Sequence, residues 1–153
     1  MAEEDNASAE IFEEWGFAVL SALDDPQEFN AEIAEFPPPI ADVVCVMLLD
    51  GEVQNGGFFQ YFFNASGVSL DRAIQGFDNM GLKAFADIAR DARQQFGAGF
   101  PTDQASRVER IGNFANKLMR FDKQDEAYSK LDTEQLASTL NAYAIAAMND
   151  SRQ

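Results

Sequence analysis

Apolar residues recur every three or four positions along most of the chain, which is the spacing of helices with one buried side. In the first such segment Ile11, Trp15, Val19 and Leu23 keep this spacing after Ser8, which fits the role of an N-cap residue. Further stripes follow Pro26, Ile40, Ser69, Leu82, Pro101 and Asp132, the stripe after Pro101 reaching Phe121, with a short helix expected at residues 125–130. The pattern predicts an all-α fold, a single compact domain of roughly seven to eight helices with an N-terminal helical extension.

Three consecutive prolines mark the clearest internal boundary. Residues 37–39 are all proline, which cannot continue a helix and favours an extended connector. We therefore expect an acidic N-terminal helical extension over residues 1–38, a helical core over residues 39–148 and a frayed tail over residues 149–153. The core opens with the apolar run Ile40 to Leu49, whose β-branched residues also suit a strand. Its helical spacing and the lack of a partner strand favour a helix.

A glycine pair and an aromatic cluster follow this run. The glycines at 56–57 interrupt the helix, and aromatic residues occupy five of the six positions 58–63. So many aromatic side chains cannot all face water, and this segment is expected in the middle of the core. Asn55, Gln60 and Asn64 then lie beside the core, where their amides must form hydrogen bonds. They fit a structural role, at the helix ends or on a neighbouring loop, or the lining of a ligand pocket; the lack of a nearby nucleophile or base favours the structural role.

The residue types that are missing narrow the chemistry. The 153 residues include no histidine and one cysteine, Cys45, which excludes an intramolecular disulfide, a cysteine-based zinc site and His-dependent catalysis. Cys45 has no basic neighbour in its apolar run, which is typical of a core residue rather than a nucleophile. The longest apolar run, Val43 to Leu49, is too short to cross a membrane, and the acidic start differs from a signal peptide. The sequence predicts a cytoplasmic protein without cofactor or metal.

Charge is distributed very unevenly along the chain. The sequence has 26 acidic and 11 basic residues and a net charge of −15, yet the first 71 residues hold 15 acids and no Lys or Arg. Residues 72–153 hold 11 acids and all 11 bases, so their charges sum to zero. A field of this kind repels nucleic acid and anionic membranes and attracts basic protein surfaces. Solubility, or adaptation to a salty habitat, is the alternative explanation, although a habitat should acidify both parts of the chain.

Two groups of carboxylates could instead serve an enzyme. Asp50 and Glu52 precede the glycine pair and could perform acid–base chemistry. Asp122, Asp125 and Glu126 could bind a hard cation, but they lack the spacing and the glycine of an EF-hand loop. The sequence contains no Walker loop, dinucleotide fingerprint or basic aromatic patch. We therefore predict a protein that is not an enzyme and has no catalytic residues.

The sequence around the glycine pair is similar to a known signature. Residues 49–67, with the core Asn-Gly-Gly-Phe-x-Gln-Tyr-Phe-x-Asn, resemble the signature of the DNA-mimic protein family, small bacterial α-helical proteins mostly of unknown function. Residues 73–81, 118–122 and 125–128 resemble its later elements. The resemblance implies an all-α fold, allows a homodimer and, in one branch, implies an acidic surface that imitates DNA and occupies a helix-turn-helix regulator. The signature residues expected to be structural are Asn55, Gly56, Gly57, Phe58, Gln60, Tyr61, Phe62 and Asn64.

The acidic surface is predicted from spacing rather than from the resemblance, because most of its residues precede the signature. On a helix, residues three or four positions apart bring their Cβ atoms to about 5–6 Å, a phosphate-like spacing. Glu10, Glu13 and Glu14 meet this spacing, whereas the acids at 3–5 are expected to be a solvated end. The candidate partner-binding residues are Glu10, Glu13, Glu14, Asp24, Asp25, Glu28, Glu32, Glu35, Asp42, Asp50 and Glu52.

These patterns predict an acidic protein-binding module that acts in transcription regulation by occupying a basic DNA-binding protein. No direct contact with nucleic acid or membrane is expected, because both repel this charge. Two alternatives stay open. One is a general interaction or scaffold domain whose partner has nothing to do with DNA. The other is a carboxylate-dependent enzyme or a small-ligand-binding domain around residues 50–64.

Overall fold

The computed structural model describes residues 6–151, so the acidic start with Glu3, Glu4 and Asp5 lies outside the described residues. The elements are, in chain order, α1 (Ala7–Ile11), a π-helical turn (Phe12–Gly16), α2 (Phe17–Leu20), α3 (Pro26–Glu35), α4 (Pro38–Phe63), a 3-10 turn (Ala65–Ser69), α5 (Leu70–Asn79), α6 (Lys83–Gln94), α7 (Gln104–Ile111), β1 (Gly112–Asn113), β2 (Asn116–Lys117), α8 (Asp122–Ser129) and α9 (Thr133–Ser151). Within residues 6–151, strand structure is limited to the antiparallel pair β1–β2. The prediction of an all-α fold is confirmed.

Residues 7–20 form a continuous helical segment, made of α1, the π-helical turn and α2, that packs onto the core. Ile11 and Val19 are buried in the same apolar cluster as residues of α4 and α9. Ser8 lies inside α1 rather than at its N-cap as predicted. Its backbone N–H and its Oγ both donate to Asn141 Oδ1 of α9, at 3.2 and 2.7 Å. The N-terminal segment is therefore joined to the last helix by polar contacts as well as by apolar packing.

Helix α4 lies at the centre of the fold because it is apolar on nearly all sides. Its run from Ile40 to Leu49 is almost completely buried, and the helix contacts α5, α7, α8 and α9, so the helix predicted for this run is confirmed. The extended connector predicted at the prolines is wrong. Pro37 is the N-cap residue and Pro38 opens α4, where a missing backbone N–H costs no hydrogen bond. No helix within residues 6–151 is long and apolar enough to cross a membrane.

Aromatic rings fill the core at the C-terminal end of α4, in agreement with the burial predicted for the cluster after the glycine pair. The Phe62 ring centroid lies 5.0 Å from that of Phe96, 5.7 Å from that of Phe100 and 4.9 Å from that of Phe121. Such tilted and edge-to-face pairs add about 0.5–1.5 kcal/mol each beyond their burial. They hold the segments that follow α6 and the β hairpin against the end of α4.

The long helix predicted from Pro101 to Phe121 is wrong in its second part. Helix α7 ends at Ile111, and Gly112 follows with a φ of +85°, a conformation that residues with a side chain rarely adopt. The chain then turns through the β1–β2 hairpin, and Leu118 is 65% exposed. The apolar spacing over this stretch mixes inward residues of α7 with residues of the hairpin, so it imitates one continuous helical stripe.

Candidate functional site

The first group of predicted surface acids lies on the helical segment 7–20. Glu10, Glu13 and Glu14 are exposed, because the opposite side of the segment is turned toward the core. Gly16 supports this arrangement, since a Cβ atom at that position would lie 2.9 Å from the Phe12 ring. The glycine therefore lets the Phe12 ring pack across the backbone of the π-helical turn. The three carboxylates are held on a helical support that is anchored on the core.

The second group lies on and just before α3. Asp25 is the N-cap residue of this helix, and its Oδ1 accepts a hydrogen bond of 2.9 Å from the backbone N–H of Gln27. Phe29 buries the other side of the helix. Because residues three or four positions apart share a side of a helix, the acids that follow Asp25 project on one side of α3. The acids of this group are Asp24, Asp25, Glu28 and Glu35, which are exposed, and Glu32, which is half-buried.

We call these eight carboxylates the N-terminal acidic surface. They share the lack of an ion pair with the described part of the chain. Among residues 6–151, no Lys or Arg forms an ion pair with any of them. Several later acids are paired, for example Asp71 with Arg93 and Asp78 with Arg90, each at 2.7 Å. The negative charge of the N-terminal acidic surface is therefore not compensated by its neighbours in the described part of the chain.

Asp42 does not belong to this surface, which corrects its prediction as a partner-binding residue. Its side chain is 1% exposed, because α4 is buried on the side that carries it. Its Oδ1 accepts from Arg72 Nε at 3.0 Å, and its Oδ2 accepts from Asn79 Nδ2 at 2.9 Å and from the Tyr143 hydroxyl at 2.7 Å. Burial and the bond to Asp42 raise the pKa of Tyr143. The carboxylate thus links α4, α5 and α9, and the signal in the sequence is a single acid within an apolar run.

Asp50 and Glu52 differ from the N-terminal acidic surface because both bind side chains of neighbouring elements. The Tyr128 hydroxyl donates to Asp50 Oδ1 at 2.7 Å, and Asn64 Nδ2 donates to Glu52 Oε2 at 2.7 Å. Burial and the nearby charge of Asp50 raise the pKa of Tyr128, so this hydroxyl stays protonated and able to donate. Among residues 6–151 there is no group of three or more His, Cys, Asp or Glu side chains that could hold a metal ion.

The glycine pair forms a kink in α4, and an aspartate from α8 completes it. Gly57 has a φ of +79°, and a Cβ atom there would lie 2.5 Å from Asp125 Oδ2. Asp125 Oδ1 accepts a hydrogen bond of 2.8 Å from the backbone N–H of Phe58. An N-cap side chain makes the same kind of bond at the start of a helix. Asp125 therefore caps the second part of α4 from another helix, and burial raises the pKa of its carboxyl group.

Two amides of the signature, those of Asn55 and Gln60, serve this kink rather than a loop or a pocket. Asn55 Nδ2 donates to Gln60 Oε1 across the kink at 3.2 Å, whereas Gln60 was predicted to bind a neighbouring loop. A side chain at Gly56 would collide with Gln60 Oε1. Asn64 is the C-cap residue of α4, which confirms its prediction as the residue that closes the helix. A cavity of about 270 Å³ beside the kink is lined by Val53, Gln54, Asp125, Tyr128, Ser129 and Thr133, so none of the three amides lines it.

Buried polar groups near the C-terminal end of α4 form hydrogen bonds with Ser69 and Arg107. The sequence did not single out either residue for this role. The Tyr61 hydroxyl and Ser69 Oγ lie 2.7 Å apart, and Ser69 occupies the N-cap position of α5 without a capping bond from its side chain. Arg107 is fully buried, and its guanidinium donates to the carbonyls of Phe62, Asn64, Pro101 and Thr102. Burial lowers the pKa of Arg107 to about 10, so it is charged at neutral pH and complements the C-terminal end of α4.

The molecule is thus an all-α protein with one apolar core, and the acidic surface on its first helices has no ion pair among residues 6–151. The family model described as DMP19-like protein matches residues 34–147. The chain therefore belongs to the DMP19-like family, which is a DNA-mimic family and is not known as an enzyme family. The match agrees at family level with the resemblance of the signature, and it begins after seven of the eight residues of the N-terminal acidic surface. Comparison with curated proteins and with solved structures gives no match.

Proposed function

We propose that the N-terminal acidic surface binds a basic DNA-binding protein by imitating the charge of DNA. The observation that carries this proposal is the lack of any ion pair to its eight carboxylates among residues 6–151. Like charges at helical spacing weaken a helix slightly, so local stability gives no reason for their arrangement. Basic side chains that normally neutralise phosphates would instead neutralise these carboxylates.

The helices that carry the carboxylates are held in place by the fold, which favours this function. A DNA mimic needs charges at a fixed spacing, because phosphate contacts set the position and orientation of a DNA-binding protein. Residues 7–20 are fixed by buried side chains such as Ile11 and Val19, and Asp25 caps α3. Membership of the DMP19-like family supports the same role, although most of the surface precedes the matched region.

In this role the protein regulates transcription in the cytoplasm, and a helix-turn-helix regulator is the partner class that we propose. The protein acts as a monomer or a homodimer, and it contacts neither DNA nor membrane. A general scaffold domain differs from a mimic in one testable respect. Its binding to a partner would not compete with DNA, because the two ligands would use different surfaces of the partner.

The test is a competition between this protein and an operator duplex for a purified helix-turn-helix DNA-binding domain. We expect the wild type to displace the labelled duplex, and to do so less well as salt rises, since screening weakens contacts between exposed charges. The variant with Gln at Glu10, Glu13, Glu14, Glu28, Glu32 and Glu35 should displace much less. A wild type that binds the domain without displacing the duplex would contradict mimicry and favour the scaffold role.

A further inference from the structure

The exposed large apolar residues within residues 6–151 form two pairs in opposite electrostatic surroundings. Phe17 and Leu20 of α2 are 63% and 42% exposed, and Phe114 and Leu118 of the hairpin region are 53% and 65% exposed. The first pair has only acids as charged neighbours along the chain, since no Lys or Arg precedes Arg72. The second pair has basic neighbours, and Lys117 Nζ lies 5.9 Å from the centroid of the Phe114 ring.

Phe17 and Leu20 are placed outside the core by the same segment that carries the first group of carboxylates. Glu13 and Glu14 precede Phe17 by four and three positions, so the three side chains are neighbours on the helical surface. The segment packs onto the core through Ile11 and Val19, whereas the side chains of Phe17 and Leu20 are exposed in the described part of the chain. The segment also contains a π-helical turn at Phe12–Gly16, a feature that is frequent at functional sites.

The negative charge around Phe17 and Leu20 limits the kinds of molecule that could bind there. Nucleic acid and anionic membrane are repelled. A second copy placed on the same face would bring Glu13 and Glu14 of both copies near one another, which is also repulsive. A basic amphipathic helix fits, because its apolar stripe can cover the apolar pair while its Lys and Arg residues meet the surrounding carboxylates.

We propose that Phe17 and Leu20 are the apolar anchor of the partner interface, bordered by Glu13 and Glu14, and that they bind a basic amphipathic helix of the partner protein. This inference rests on the proposed binding of a basic partner, and it adds an apolar contact to the charged contacts of that interface. An apolar anchor within a polar border is the usual form of an interface hot spot. Since salt screens charges but does not weaken apolar burial, the anchor gives binding a component that persists at high salt.

The test uses two synthetic peptides of equal length and equal positive charge as probes. One is a Lys/Leu helix with a continuous apolar stripe, and the other is a Lys/Gln peptide without one. Binding is measured by fluorescence anisotropy at low and high salt for the wild type, for Phe17→Ser with Leu20→Ser, and for the control Leu118→Ser, which leaves Phe114 packed against Phe59 and Phe63. Circular dichroism melts check that each variant folds. If the double variant melts earlier than the wild type, the single variant Phe17→Ser replaces it.

We expect the wild type to bind the Lys/Leu peptide at least about tenfold more tightly than the Lys/Gln peptide at high salt. The Phe17 and Leu20 variant should lose this preference and keep its low-salt binding of the Lys/Gln peptide, and the control should behave as the wild type. Equal loss in both variants, or none in the first, would overturn the anchor. So would self-association of the wild type that the Phe17 and Leu20 variant abolishes. Failure of the proposed acidic surface would look different, because neutralising Glu13 and Glu14 would then leave the low-salt binding of both peptides unchanged.

Discussion

The first 71 residues and the rest of the chain use charge in different ways. From Arg72 onward, acids and bases occur in equal number, and several of them form ion pairs. Arg90 bonds to both Asp78 and Asp87, and its bonds to Asp78 lower the pKa of that carboxyl group. Before Arg72, the eight residues of the N-terminal acidic surface have no ion pair within residues 6–151. The fold pairs several charges of the second region with one another, whereas the N-terminal acidic surface has no ion pair in the described part of the chain.

The bases of the second region also serve the fold directly. Arg107 donates to four backbone carbonyls, Arg110 donates to the Phe96 carbonyl at 2.7 Å, and Arg72 binds the buried Asp42. Removing any of these groups would leave a buried or partly buried acceptor without its donor. Within residues 6–151, no ion pair involves the six glutamates of the N-terminal acidic surface. The comparison therefore separates charges that stabilise the fold from charges that are available to a partner.

The largest loss of stability is expected for Arg107→Met. This change leaves four backbone acceptors around the end of α4 without their donor, so the free energy of unfolding should fall by at least about 3 kcal/mol. Urea denaturation measures the change. Arg110→Met is the matched control because Arg110 is exposed, and we expect a loss of no more than about 1.5 kcal/mol. Equal losses in the two variants would contradict the assigned role of Arg107.

Asp42→Ala should come next, with a loss of about 3 kcal/mol, because it leaves Arg72 without its buried partner. Glu28→Ala is the control from the N-terminal acidic surface, and it should change stability by no more than about 0.5 kcal/mol. Both are measured by chemical denaturation under the same conditions. Similar changes in the free energy of unfolding for the two variants would contradict the structural role assigned to Asp42.

Asp125 provides a smaller effect that depends on pH. Asp125→Ala removes the cap of the second part of α4 and should cost about 0.5–2 kcal/mol, whereas Asp125→Asn keeps an acceptor for the Phe58 N–H. Because burial raises the pKa of Asp125 in the folded state, ionisation of this group opposes folding. The Asn variant should therefore gain stability relative to the wild type as pH rises from the ordinary aspartate pKa through that raised pKa, and the two should converge below the ordinary pKa. A difference that does not vary with pH would exclude this effect.

The smallest effect is expected for Arg90→Gln, which breaks exposed ion pairs. The loss should be no more than about 1 kcal/mol and should shrink at high salt. Since Arg90 lowers the pKa of Asp78, the stabilisation is present above the ordinary pKa of that carboxyl and disappears as pH falls through its lowered value. Thermal melts at two salt concentrations measure it. A loss as large as that of Asp42→Ala would mean that the exposed pairs are structural too.

The sequence predicts much of the fold because most of the information is local. Helical spacing identifies the helix that contains Val43 and Leu49, and the clustered rings identify the centre of the core. The contacts of Asp125, Asp42 and Arg107 could not be read in this way, because each joins elements that are distant in the sequence. The exposure of Glu10 to Glu35 follows from the same local spacing, since these residues alternate with the buried stripe.

The most direct measurement compares two variants with the same net charge. One has Gln at the six glutamates of the N-terminal acidic surface, and the other has amides at six exposed acids of the second region: Asp87, Glu109, Asp122, Glu126, Glu134 and Asp150. The association rate of each with a helix-turn-helix DNA-binding domain is measured at low salt. We predict a fall of at least about tenfold for the first variant and no more than about threefold for the second, because local fields steer association. Equal falls would mean that net charge alone matters, and would contradict a defined binding surface.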